Sequence, residues 1–196
     1  MSTQGTNWCL TKSGKVYSCG ENSIGQLGLG NTVDRTTFNE VNIDIVSGNI
    51  IEIIQGELNT FILTDTGNVY GCGDNYGQLG LSNSNYKSVI KEMKLDRSTL
   101  GFDISGKIIK VANMLQNTIV LTDTGQVYGA GRNNKGELGL GNTDDKIKLT
   151  KMKLDSNTLG FDISGKIIDI ACGHEHTIVL TDNGKVYSCG YNYYGQ

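Results

Sequence analysis

At 196 residues and a formal net charge of −3, the chain is long enough for one ordinary core and has no basic patch to mark a nucleic-acid or acidic-membrane partner. Glycine contributes 27 residues and proline none, which excludes collagen-like and proline-rich compositions and leaves glycine as periodic punctuation. The opening MSTQGTNWCLTKSGK has neither a charged n-region nor an apolar h-region, and no apolar run reaches transmembrane length, so an intracellular protein is expected, in cytoplasm or nucleus alike.

The first predicted elements are two short strands around the turn at Ser13-Gly14, followed by the glycine-dense stretch GENSIGQLGLGNT at 20–32. A phosphate-binding loop would need a helix after it, so that the helix N-terminus faces the anion. Here VDRTTFNEVNIDIV follows, which reads as a turn and then strand alternation. Gly25, Gly28 and Gly30 also give G-x-x-G-x-G, which is neither the dinucleotide fingerprint nor a P-loop. The stretch therefore reads as the exit from one strand towards the next structural unit.

The same unit returns along the chain. LTKSGKVYSCGENSIGQLGLG from Leu10 is followed by LTDTGNVYGCGDNYGQLGLS from Leu63, LTDTGQVYGAGRNNKGELGLG from Leu121 and LTDNGKVYSCGYNYYGQ from Leu180. The turn glycines Gly14, Gly67, Gly125 and Gly184 lie 53, 58 and 59 residues apart. Runs of four to seven Ile, Val, Thr and Tyr residues between T-D-x-G and G-x-N-x-x-G turns are hairpin signals. One full unit is expected to hold strand A at 89–95, B at 108–112, C at 118–122 and D at 126–130. Four antiparallel strands per unit describe a propeller blade. The predicted fold is an all-β, incomplete β-propeller of about three and a half blades, with a half blade at 1–30 and blades at 31–82, 83–141 and 142–196. No helix longer than about two turns is expected, because no apolar run keeps the helical period. The stretches at 99–105 and 158–164, identical in sequence, read as insertions between strands A and B.

CGHEHTIVLTDNGKVYSCGYNYYGQ at 172–196, together with GQLGLG at 25–30, closely resembles the repeat of the regulator of chromosome condensation family. The resemblance covers essentially the whole chain. It implies a propeller ring, usually of seven blades, and one possible activity: guanine-nucleotide exchange on a Ran-like small GTPase. Where the family pattern has Trp, this chain has Cys19, Cys72, Ala130 and Cys189. An open array leaves its end faces uncovered, and neither end shows a polar cap, so the missing blades are expected from the rest of a longer chain or from another copy.

The five cysteines read as reduced thiols. Cys19, Cys72 and Cys189 share one repeat position in different units, where small buried apolar residues are expected, and Ala130 at the fourth such position agrees. Cys172, His174 and His176 share strand parity, a set that zinc accepts, but no fourth ligand is evident and His176 falls on an ordinary repeat position. No metal, cofactor or catalytic residue is assigned, and a propeller lyase or hydrolase lacks a convergent polar set. Asp65, Asp123 and Asp182 recur as turn residues, which suits Asx-type hydrogen bonding.

Function is therefore sought on surfaces. The sheets repeat while the B–C loop tips change: Glu57-Leu58-Asn59, Leu115-Gln116-Asn117 and His174-Glu175-His176. A regular scaffold with varied loop tips is how repeat proteins present binding surfaces. A non-enzymatic protein-interaction module is expected, binding a protein partner through these nine residues, with a small GTPase as one candidate and neither nucleic acid nor membrane in direct contact.

Overall fold

Short β-branched runs separated by glycine turns form fourteen strands and one helical turn in the computed structural model, which describes residues 5–155 and 163–195. The strands make four antiparallel sheets in chain order. Sheet 1 holds β1 (Thr6–Leu10), β2 (Val16–Gly20) and β3 (Arg35–Glu40). Sheet 2 holds β4 (Ile50–Gln55), β5 (Asn59–Thr64), β6 (Val69–Gly73) and β7 (Lys87–Glu92). Sheet 3 holds β8 (Ile108–Met114), β9 (Asn117–Thr122), β10 (Val127–Gly131) and β11 (Lys146–Lys151). Sheet 4 holds β12 (Ile167–Cys172), β13 (His176–Thr181) and β14 (Val186–Gly190). The helical turn α1 (Arg97–Leu100) lies in the first insertion, while 156–162, with most of the second, lies outside the described residues.

Sheet membership differs from the sequence reading in one respect. The strand expected at 89–95 as the start of a unit is β7, and it closes the sheet before it, pairing Tyr70 with Glu92 and Gly73 with Lys87. The sheets therefore hold three, four, four and three strands, instead of a strand pair followed by three complete units. The buried Asn75 supplies the physical reason. Its Nδ2 donates to the carbonyls of Asn83 (2.9 Å) and Asn85 (3.1 Å), and its Oδ1 accepts from Leu79 N (3.1 Å), which folds the 74–86 loop back beside its own strand. Asn22 and Asn133 make the same bonds in sheets 1 and 3.

Three cores lie between consecutive sheets. Val16 and Val41 meet Ile62, Tyr70 and Ile90 between sheets 1 and 2; Phe61, Leu63 and Leu79 meet Val111, Val120 and Tyr128 between 2 and 3; Ile119, Leu121 and Leu138 meet Ile170 and Val179 between 3 and 4. Every residue of β5, β6, β9 and β10 is buried, because these central strands are covered on both faces. The edge strands β7 and β11 bury Ile90 and Leu149, and the loop of the preceding sheet meets the outer edge of each at Ser88 and Ile147.

The glycine-dense loop 20–32 packs against the neighbouring sheet. Gly30 N donates to Ser88 O at 2.7 Å, and Thr60 Oγ1 donates to Gln26 O at 3.2 Å. A Cβ on Gly25 would lie 2.4 Å from Ser88 Cα, so only glycine permits this approach. Close packing of sheets explains these glycines.

All five cysteines are free. Cys72 is fully buried against the loop of sheet 1, with Sγ 3.5 Å from Gln26 O, and burial pushes its thiol pKa up. Cys189 faces Glu137 O at 3.6 Å in the same manner but is only half-buried, and its thiol is raised to about 11 by burial. Cys19 is half-buried as well, since no sheet precedes its own among the described residues. Complete burial thus holds at one of the three positions.

Candidate protein-interaction rim

Antiparallel connection places the loops joining first and second strands at one end of each sheet, together with the long crossing that follows the third strand. One bond recurs there. The carbonyl of the last tip residue accepts from the first crossing residue: Leu58 O from Asp74 N at 2.9 Å, Gln116 O from Arg132 N at 2.8 Å and Glu175 O from Tyr191 N at 2.8 Å. Each tip is thereby locked to the crossing beside it, and the pairs form a common rim.

The tips are built differently. In sheets 2 and 4 three residues connect the strands, whereas sheet 3 uses only Leu115 and Gln116, with Leu115 in the left-handed region at φ 49°. Gly56 and Gly173 open the longer tips. A Cβ on Gly56 would lie 2.1 Å from Asn59 Oδ1, and one on Gly173 2.0 Å from the His176 ring, so the side chain that starts the second strand folds over its glycine.

The nine residues expected at the interface separate into two layers. His174 is exposed, while Glu57, Leu58, Leu115, Gln116, Glu175 and His176 are half-buried, His176 with its Nδ1 covered. Asn59 and Asn117, each 2% exposed, lie beneath the rim and support it. The Asn59 amide and His176 Nδ1 make no hydrogen bond. Cys172 turns inward, its thiol raised to about 12 by burial, and packs against the core between sheets 3 and 4, away from exposed His174. Among the described residues no three His, Cys, Asp or Glu side chains gather to hold a metal ion.

The crossings add residues that the tip-based reading missed. Arg132 Nη1 stands 3.4 Å from Gln116 Oε1 and 4.0 Å from Glu175 Oε1, joining the tips of sheets 3 and 4. Lys135 Nζ lies 5.4 Å from the centre of the Tyr191 ring, which stacks on Tyr193. Burial raises the pKa of Asp74, against the opposing hydrogen bonds from Asn75 and Gln78. The signal for these residues was available: the position after β2, β6, β10 and β14 reads Glu21, Asp74, Arg132 and Tyr191, as varied as the tips.

At the opposite end, Asp65, Asp123 and Asp182 also act between segments. Their Oδ1 atoms accept from Asn49 N (2.9 Å), Lys107 N (3.0 Å) and Lys166 N (3.0 Å), pinning the start of each first strand.

Comparison with known proteins agrees with this architecture. Residues 13–48 and 124–180 match the regulator of chromosome condensation (RCC1) repeat, and 167–196 match a second form of it. The chain is 35% identical over 95% of its length to the human "Probable E3 ubiquitin-protein ligase HERC4", covering 17% of that protein. It is 37% identical over 63% of its length to the bovine "Secretion-regulating guanine nucleotide exchange factor", covering 24% of it. The crystal structure of yeast RCC1 (Prp20) with Kap60 superposes on 96% of the chain with a TM-score of 0.71 at 20% identity, and the matched part is 42% of that chain. The chain spans less than half of each of these relatives. Its repeats and its four sheets, the blades of an incomplete β-propeller, place it in the regulator of chromosome condensation repeat family.

Proposed function

We propose that this chain is a protein-interaction module whose partner contacts the rim formed by Glu57, Leu58, Leu115, Gln116, His174 and Glu175, with Arg132 between them. The observation that carries the reading is the contrast between near-copied sheets and tips of different chemistry on one locked rim: acidic at Glu57, apolar and amide at Leu115 and Gln116, imidazole and carboxylate at His174 and Glu175. Repeat scaffolds obtain selectivity from such differences between units. The test is quantitative affinity capture with the triple variant Glu57→Ala, Gln116→Ala, His174→Ala beside the double variant Arg97→Ala, Asp103→Ala, whose exposed ion pair lies at the other end of the sheets. The expected result is loss of partners in the first variant only; loss confined to the second would refute the rim.

A second reading, nucleotide exchange on a small GTPase, is favoured by the similarity to the bovine secretion-regulating guanine nucleotide exchange factor. It is tested by following release of a fluorescent guanine nucleotide from a Ran-like GTPase. Acceleration that the rim variant abolishes would make exchange the function of the rim.

A further inference from the structure

The junctions between sheets 1 and 2 and between sheets 2 and 3 are equivalent by repeat, yet one is filled and the other is not. At the second junction the first insertion folds into α1, capped by Asp96 accepting from Thr99 N at 2.9 Å and ended by Gly101 at φ 88°. Its Leu100 is 3% exposed and joins the core that contains Leu149, with Leu81, Leu95 and Phe102 packed against it. Lys148 Nζ donates to the last carbonyls of the turn, Thr99 O at 3.2 Å and Leu100 O at 3.3 Å. A leucine on a single helical turn thus seals the socket between the crossing of one sheet and the edge strand of the next.

At the first junction the chain between Asp44 and Val46 is Ile45 alone, where the second junction has the seven residues 97–103 between Asp96 and Ile104. The equivalent socket is an open groove of about 330 Å³ lined by the apolar Leu29, Ile45, Val89 and Ile90, by glycine backbone, and by the polar Glu40, Asn42 and Lys91. Val89 stands where Lys148 stands and is 39% exposed, and Ile45 is 51% exposed. Lys91, two residues along β7 from Val89 and so on the same face, also lines the groove.

We propose that this groove is a docking site for a segment of a partner protein that folds as one aspartate-capped helical turn and lays a leucine over the paired Leu29 and Val89, as the chain's own Asp96–Phe102 segment lays Leu100 against the core beside Leu81 one junction later. The occupant is identified by the chemistry of the filled socket: an apolar side chain for Leu29, Val89 and Ile90.

The probe is a fluorescent synthetic peptide of residues 94–104, KLDRSTLGFDI, titrated with the 196-residue chain and read by anisotropy. Saturable binding is expected, weakened at least tenfold by L100D in the peptide and equally by Val89→Asp in the protein. Val89 is partly exposed, so the variant keeps its fold, with circular dichroism as the control. A second variant in which RSTLGFD replaces Ile45 fills the groove from within; it is expected to lose the peptide and to melt at a higher temperature than the parent chain. Absence of saturable binding up to about 1 mM protein, the limit of weak association, would overturn the proposal, as would binding indifferent to Val89→Asp. Self-association of the chain that Val89→Asp dissolves would overturn it too, by giving the groove to a second copy.

Discussion

The inter-sheet glycines allow one substitution to be made three times with different expected costs. Gly25, Gly77 and Gly136 are repeat-equivalent, with φ of +82°, +115° and +78°. Alanine at any of them takes an L-residue into the left-handed region, at about 1–2 kcal/mol. The surroundings differ. A Cβ on Gly25 would lie 2.4 Å from Ser88 Cα, and one on Gly77 2.6 Å from Lys146 O, whereas one on Gly136 meets nothing within 4 Å. Carbon atoms in contact prefer about 3.5–4.0 Å, so at the first two sites the neighbouring edge strand must retreat by about 1 Å. Overpacking of this kind costs about 1–3 kcal/mol. Gly136→Ala should therefore cost about 1–2 kcal/mol, and Gly25→Ala and Gly77→Ala about 2–5 kcal/mol. At about 2–4 °C per kcal/mol for a chain of this size, the two classes should differ by roughly 2–12 °C in thermal midpoint. Urea unfolding followed by circular dichroism gives the free energies, and hydrogen exchange localises the loss, which matters because repeat arrays can unfold sheet by sheet. Equal costs at all three sites would refute the reasoning, since they would show that backbone conformation alone decides and that β7 and β11 do not press on the crossings.

Cysteine labelling in the folded state should be fastest at exposed Cys9 and slowest at Cys72; labelling of Cys72 as fast as Cys9 would contradict its burial. The raised Cys72 pKa also predicts that stability falls as pH rises past about 9.0, because the unfolded thiol ionises there while the folded one keeps its proton; urea midpoints at pH 8 and pH 10 test the sign. Asp65 has its pKa lowered by hydrogen bonds from the Asn49 side chain and backbone, so its contribution is present above pH 3.8 and is lost as pH falls below that value. Asp65→Ala should lower the thermal midpoint at pH 7 more than Asp65→Asn, which keeps an acceptor for Asn49 N; equal midpoints in the two variants would show that the bond contributes nothing.

What the sequence disclosed, and what it hid, follow from where each feature is encoded. The period was legible because each turn needs a residue type that no other fills, as at Gly67, where φ is +86°. Strand identity was legible because β5 and β9 are β-branched and apolar runs between such turns. The phase was hidden. Whether β7 pairs with β6 or with β8 depends on Asn75 folding a long loop back through bonds to Asn83 and Asn85, and in the sequence Asn75 is one more polar residue in a polar loop. The tips were found by their variation, but variation does not report depth: Asn59 and Asn117 differ from His176 as a surface residue would, yet both lie under the rim because their side chains face the sheet interior. Arg132 escaped for the opposite reason, since it sits inside the G-x-N motif, where attention goes to the residues that repeat. In a propeller the repeated residues build the blade. The proposed rim draws on the residues between them, so the unmatched letters within a motif carry as much information about a binding surface as the loops outside it.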